Sequence, residues 1–554
     1  MSELSLVIKD ARIVDGTGRP SYLGDVGVSG DRIAAIGRIE NPSQNARIID
    51  AGGKVLSPGF IDVHTHYDAQ ICWDGNLKPS PEHGVTSLVM GNCSLSMAPF
   101  SSQHIDMVAD MFYSVEDMPQ DLIKANVPFT WSSFPEYLDS LRGSLGPNVG
   151  VMVGHTMLRY FVMGDDAQKR PATDREIDHM AGLLREAMEA GAMGLSMTHA
   201  HMDAKGAPLP THYAEEKETL ALCKAMMKSG RGILEDVPAI PAQDHLDLLD
   251  HLGRMSRETG VMATYDAIIY SPMRGDFWRE EIAKLEEWQQ KGARLTAQIL
   301  VRSMDQSFSL GGTQVALGKL ESWKDIMLQD INLRLPAFRD AARRAEMIKE
   351  ADKRISYMSE ALIIETTAAD NEQYLGRRVG DVADEKGMSP MELIIDMSLK
   401  EDLKTQFKVS GVINHNDDVI AEMLDHPLTH HGAADAGAHI SQFAGVGDTS
   451  YLLEHFVRTI GKFSLERGVE ILTSKVANDW GLAGRGRIEH GAFADLVVFD
   501  PKTIARGKET RVTDYPGNTA RWVRTPVGIS QVVVNGEVLV SERAYTDAKP
   551  GRII

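Results

Sequence analysis

Two histidines separated by one residue end a short apolar run, Pro58-Gly59-Phe60-Ile61-Asp62-Val63-His64-Thr65-His66. In extended chain, residues i and i+2 share a face, so His64 and His66 project together from the end of one strand. Imidazole nitrogen suits zinc and similar divalent ions, and a pair on one face offers two ligands of a metal centre. The alternative is two polar residues that end a strand without further purpose. Other polar residues follow apolar runs: His155 after 149–154, His201 after 193–197, Arg302 after 295–300. An arginine there can grip a carboxylate bidentately. Each of these, like His439, is equally explained by a structural hydrogen bond. The stretch Thr429-His430-His431-Gly432 reads as support or surface rather than as ligands. By residue type alone, Cys93 after the run 86–91 is a small core residue.

The elements that must position these residues alternate. Apolar runs at 86–91, 149–154, 193–197, 233–237, 261–264 and 295–300 are separated by amphipathic stretches, such as 174–190 with Ile177, Met180, Leu183, Leu184 and Ala187 on one face. Strand–helix alternation of this kind predicts parallel βα units, and eight of them close a TIM-like (β/α)8 barrel. Strand ends on one rim of such a barrel converge, which is where the histidine pair belongs. Residues 4–50 and 494–540 have a different texture of short β runs and turns, with Asn535-Gly536 as a hairpin signal. The reading is a small β-sandwich formed by both termini, residues 1–56 plus 484–554, around a barrel over 57–483. Two stretches, near 98–146 and 303–360, are long for loops and are expected to be insertions covering the barrel mouth.

Composition removes several function classes. The chain has 554 residues, 43% hydrophobic and 25% charged, an ordinary globular balance. A net charge of −20 argues against nucleic acid or anionic membrane as partners. No apolar run is long enough to span a bilayer, and the first residues lack a secretory pattern. Three cysteines, Cys72, Cys93 and Cys223, are too few and scattered for a disulfide framework, so the cytoplasm is the expected compartment. A homo-oligomer is open to the chain but not specified by it.

Three stretches together resemble the amidohydrolase superfamily: the lead-in ending at His64 and His66, Ala434-Asp435-Ala436-Gly437-Ala438-His439, and Gly486-Arg487-Ile488-Glu489-His490-Gly491-Ala492-Phe493-Ala494-Asp495-Leu496-Val497. The resemblance covers essentially the whole chain. It implies that Asp435, from the last barrel strand, ligates metal and handles the nucleophile's proton. Gly84-Val85-Thr86-Ser87-Leu88-Val89-Met90-Gly91-Asn92-Cys93 is similar to the second-strand motif of the N-acyl-D-amino-acid deacylases (D-aminoacylases), whose cysteine is a metal ligand. Val153-Gly154-His155-Thr156-Met157-Leu158-Arg159 and 190–196 also resemble segments of that family. Ser114-Val115-Glu116-Asp117-Met118-Pro119, 66–70 and 134–139 resemble its longer branch, associated with N-acyl-D-aspartate and N-acyl-D-glutamate.

One departure matters. Many members of the superfamily take two more histidine ligands from strands five and six, and the runs 232–237 and 261–266 hold none. Glu235 or Asp236, and less readily Asp266, could substitute as hard oxygen ligands. Otherwise one position is empty and His64, His66, Asp435 and Cys93 surround a single ion. The expected cofactor is a divalent metal, zinc by its donors, one or two ions. The resemblance implies hydrolysis of a linear amide in a small molecule, an N-acyl-D-amino acid. Metal would activate water and polarise the acyl carbonyl. Asp435 would move the proton as general base and acid, and His155, His201 or Tyr265 would stabilise the oxyanion. The competing readings are another C–N hydrolase, acting on a cyclic or xenobiotic amide, and a metal-free assembly module without catalysis.

Overall fold

Eight short parallel strands form the centre of the molecule: Phe60–Asp62, Val85–Met90, Asn148–Gly154, Gly194–Thr198, Ile233–Val237, Met262–Ile268, Leu295–Ile299 and Thr429–His431. They pair in chain order, every neighbour parallel. The ring closes just beyond the strand ends. Asp435 N donates to His64 O at 3.2 Å and His66 N to Ala436 O at 2.8 Å. The segments carrying the histidine pair and Asp435 are thus the closing seam of a TIM-like barrel. This computed structural model describes residues 3–554 apart from 240–242, 313–314, 319, 328, 330 and 412.

Local sequence accounts for the helices outside the barrel. Helix Asp174–Ala190 starts at a capping box in which Thr173 and Glu176 satisfy each other's backbone N–H groups. It buries Ile177, Met180, Leu184 and Ala187 against the strands. Among the described residues no helix is long and apolar enough to cross a membrane.

Both ends of the chain build one nine-stranded sheet. Its core is Leu6–Ile13, flanked by Tyr22–Ser29 and Val55–Pro58, and Val55–Pro58 pairs antiparallel with Leu496–Phe499 from the far end of the sequence. Asp495 in the late motif ties this sheet to the barrel. It accepts from Arg485, from Asn535 N at 2.8 Å and from Asn148 Nδ2 on the third barrel strand at 3.2 Å. Gly59 is required where the chain passes from sheet to barrel, since a Cβ there would lie 2.0 Å from Thr86 Oγ1. A separate hairpin, Glu509–Tyr515 with Thr519–Arg524, leaves the sheet and reaches the barrel mouth, where Trp522 N donates to Ile440 O.

The two insertions differ. The first holds helices Ile105–Glu116, Gln120–Asn126 and Phe134–Leu141, whose apolar faces join the barrel's own core. The second does not stop near 360. It continues to a three-stranded sheet of Gln306–Phe308, Gln406–Val409 and Leu362–Glu365, with a hydrophobic core of its own. Local sequence could not show this, because its last strand pairs with residues about a hundred positions earlier.

Candidate metal centre

Four donors meet at the closing seam. His64 Nε2 lies 3.2 Å from His66 Nε2, 3.6 Å from Cys93 Sγ and 3.3 Å from Asp435 Oδ1. His66 Nε2 lies 3.9 Å from Cys93 Sγ and 3.6 Å from Asp435 Oδ1. Ligands held tetrahedrally at zinc bond lengths stand about 3.3–3.8 Å apart, so His64, His66 and Cys93 fit one such ion in type and spacing, with Asp435 Oδ1 beside both histidines. Both rings and the thiol are almost fully buried. Cys93 and Asp435 reach this place through left-handed backbone, φ +52° and +57°, a conformation that costs non-glycine residues energy and clusters at functional sites. Gly445 lets the Asp435 segment be covered closely, since a Cβ there would sit 2.2 Å from Asp435 O.

Carboxylates surround the other side of the histidines. His64 Nδ1 is hydrogen-bonded to Glu235 Oε1 at 3.0 Å, with Asp266 Oδ2 at 3.1 Å. Glu116 Oε1, from the first insertion, stands 3.2 Å from His66 Nδ1, off the N–H direction and with no other partner. Glu235 Oε2 and Asp266 Oδ1 are also buried and unpartnered. So much buried negative charge favours a cation. It also dominates the electrostatics. Burial pulls the His64 pKa down, but Asp266 and Glu235 outweigh it and hold the ring well above its ordinary value. Burial raises Asp266 to about 7 and pushes the Cys93 thiol and Glu116 up. Burial alone would also raise Asp435, but His66, His64 and His439 hold it below the ordinary carboxylate range.

The remaining candidates divide. His201, its Nδ1 2.8 Å from Thr198 Oγ1, is electrostatically coupled to Asp435, His66 and His439, and burial lowers it to about 3, so it is neutral near pH 7. His439 is likewise coupled to Asp435 and His66, and its backbone N–H donates to Glu116 O at 2.6 Å. Arg302 is buried and committed: Nε donates to Asp448 Oδ1 at 2.8 Å and a terminal nitrogen to Ala434 O at 3.2 Å. It braces the Asp435 segment instead of gripping a ligand. The expectation for Tyr265 finds no geometry to support it. Its hydroxyl bonds His245 and, at 2.9 Å, Glu281 in the helical layer. His155 also turns to that layer, with Nε2 2.8 Å from Glu218 and Nδ1 3.1 Å from Thr211. Asp236 bonds His199 at 3.0 Å and faces away from His64.

Sequence reasoning assigned no role to Glu116 or Gln298, and ranked Asp266 low. The motif around Glu116 was visible; its meeting with His66 was not. Gln298 Nε2 donates to Glu235 Oε1 at 2.9 Å while its Oε1 accepts from Ala433 N at 3.0 Å.

The amidohydrolase family pattern matches residues 47–540. A D-aminoacylase from Alcaligenes xylosoxydans xylosoxydans is 30% identical over 99% of this chain and 97% of its own length. An N-acyl-D-aspartate deacylase from the same organism is 28% identical, covering 100% of this chain and 95% of its own. A solved D-aminoacylase, studied for the role of its binuclear metal centre, superposes with a TM-score of 0.68 at 26% identity, over 99% of both chains.

Proposed function

The chain belongs to the amidohydrolase family, and from that premise we propose that it is a metal-dependent deacylase of N-acyl-D-amino acids. The observation that carries the reading is the convergence of His64, His66 and Cys93, 3.2–3.9 Å apart, with Asp435 Oδ1 3.3 and 3.6 Å from the two histidines, at the barrel's closing seam. Full-length similarity to relatives that act on N-acyl-D-amino acids supports the substrate class. A divalent ion, zinc by its nitrogen and sulfur donors, supplies the Lewis acidity that activates water and polarises the acyl carbonyl. Asp435 Oδ1 lies against the two histidines, which leaves Oδ2 to take the water's proton and return it to the departing amine. Held below the ordinary range, the carboxylate is ionised and able to accept. Neutral His201 and His439 offer N–H donors at the mouth for the tetrahedral oxyanion. The substrate is a small molecule, and three unpaired thiols accord with work in the cytoplasm.

The test is a panel of N-acetyl-D- and N-acetyl-L-amino acids with the released amine measured. Turnover confined to D members, and abolished by chelation, is the expected result. Protein without bound metal and without turnover of any amide would instead favour the assembly reading. Preference for cyclic amides would move the substrate class.

A further inference from the structure

Cys93 and Ser94 are consecutive residues with left-handed backbone, φ +52° and +67°, and neither has glycine's freedom to adopt it. Such residues persist only where their surroundings over-determine them. Resting on the metal-dependent reading above, we propose that Ser196, together with a side-chain chain from Ser94 through Thr211 to His155, forms the set of positioning residues that holds the Cys93 thiol toward His64 and His66.

Ser196 brackets the cysteine. It lies on the fourth barrel strand, fully buried, and its one hydroxyl donates to Gly91 O at 2.5 Å while accepting from Ser94 N at 3.1 Å. Residues 91 and 94 are thus pinned to a single atom, with Cys93 between them. Asn92 secures the turn from the other side. Its Nδ2 donates to Val89 O at 3.1 Å and, at 3.0 Å, to the carbonyl of Thr65, the residue between the two histidines. The turn that carries the thiol is therefore tied both to the strand end that carries the imidazoles and to the fourth strand.

Ser94 bears the second arm. Its hydroxyl oxygen accepts from Thr156 N at 2.8 Å and stands 2.9 Å from Thr156 Oγ1 and 3.1 Å from Thr211 Oγ1. Thr211 Oγ1 is 3.1 Å from His155 Nδ1, and His155 Nε2 is 2.8 Å from Glu218 Oε1. The far end sets the direction of every bond. Burial raises the Glu218 pKa, but His155 and Arg159 outweigh it and hold the carboxyl below its ordinary value, so Glu218 is an ionised acceptor. His155 then carries its proton on Nε2, and its Nδ1 accepts from the Thr211 hydroxyl. That leaves the Thr211 oxygen to accept from the Ser94 hydroxyl, while the Ser94 oxygen takes both donors of Thr156. Each proton has one place, and the side chains have one arrangement. Ser94, His155, Thr156 and Thr211 are fully buried, where an unmade bond is costly. His155, turned away from the mouth, thus acts on the metal centre through Thr211 and Ser94.

Metal-free protein titrated with cobalt reports on the thiol through thiolate-to-cobalt absorption, and competition with a chelator gives the affinity. The wild type should show the band, and its absence in Cys93→Ser assigns it. Ser196→Ala removes both anchors of the turn by deleting one oxygen. It should lower cobalt affinity about 10- to 100-fold and weaken the band per bound ion. Thr211→Val cuts the arm to His155 with little change of shape and should act in the same direction, by about 10-fold. Thr211→Ser keeps the hydroxyl and should restore both readouts. Residues that only stabilise the fold would lower Tm and leave affinity and band alone. Wild-type values for both in Ser196→Ala or in Thr211→Val would therefore overturn the inference, as would a Thr211→Ser variant no better than Thr211→Val. If Ser196→Ala does not fold, the Thr211 pair decides. Cobalt bound by the wild type without a thiolate band would also overturn it and leave the metal-dependent reading intact. No bound metal at all would sink both.

Discussion

The two insertions over the barrel mouth solve the same covering problem in opposite ways. The first shares its core with the barrel through residues such as Val108, Phe112 and Val115 of helix Ile105–Glu116, and that helix ends in Glu116 beside His66. Asp117 extends the bond to the catalytic side, accepting from Ser441 N at 3.0 Å. The second insertion packs its own core around Trp323, Phe338 and Phe407. Polar contacts join it to the mouth: Ser307 N to Gln442 O at 2.7 Å, Lys408 to Glu509 at 2.5 Å and Arg511 to Glu365 at 2.7 Å. Shared apolar burial makes an element part of one cooperative unit, whereas exposed or rim ion pairs contribute little. The first insertion is thus built into the metal centre, and the second is an attached cover.

That contrast can be broken at several points. Asp435→Asn should lower kcat at least about 100-fold with much of the metal retained, because it removes basicity and not size. Near-normal kcat would mean that another group moves the proton. Next in size, Glu116→Ala should weaken metal binding about 10- to 100-fold although Glu116 is no ligand, with Glu116→Gln recovering much of the loss. Metal affinity indifferent to both changes would reduce the first insertion to a cover.

Core truncations compare the insertions directly. Phe112→Ala and Trp323→Ala each remove a fully buried ring and should cost about 3–5 kcal/mol. Loss of metal should accompany unfolding for Phe112→Ala. For Trp323→Ala, limited proteolysis should cut within residues 306–409 while zinc content stays at the wild-type level. Equal loss of metal in both would show one cooperative unit.

A further effect is pH-dependent. His83, fully buried, bonds Ser450 Oγ at 2.7 Å and Arg524 O at 3.0 Å, so it anchors the hairpin to which the second insertion is pinned. Burial lowers its pKa to about 4. Its unfolded value is about 6.5, so between roughly pH 6.5 and 4 the unfolded chain binds a proton that the folded one refuses. Stability from this group is complete above about 6.5 and falls as the pH drops through that window, by on the order of 3 kcal/mol. Acid should therefore release the hairpin and second insertion before the barrel. The check is Tm and proteolytic cutting as functions of pH, with a flatter profile in His83→Gln.

Much of this was legible in residue order, and the failures have one cause. Helix Asp174–Ala190 forms where its periodicity and capping residues put it, since both signals act within a few residues. Strand Ile233–Val237 does too. Which face of a strand looks inward was harder. On the sixth strand Tyr265 and Asp266 are adjacent polar-tipped residues, and the pleat sends them to opposite sides. Thr264 and Asp266 face the barrel interior, where they meet His430 and His64, while Tyr265 bonds the helical layer. Glu235 and Asp236 divide in the same way.

What the sequence determined by itself was the kind of chemistry and the frame for it. Spacing of i, i+2 puts His64 and His66 on one face whatever surrounds them, and alternating strand and helix patterns lead to a barrel whose strand ends converge. Only the tertiary structure decided which groups meet those histidines. Closure of the barrel brings Asp435 against His64 Nε2, more than 370 residues away along the chain, and Glu235 and Asp266 against its Nδ1. Docking of the first insertion brings Glu116 to His66. A side chain's type and its strand position are local properties, but the partner across a barrel is set by closure, pleat and packing acting together.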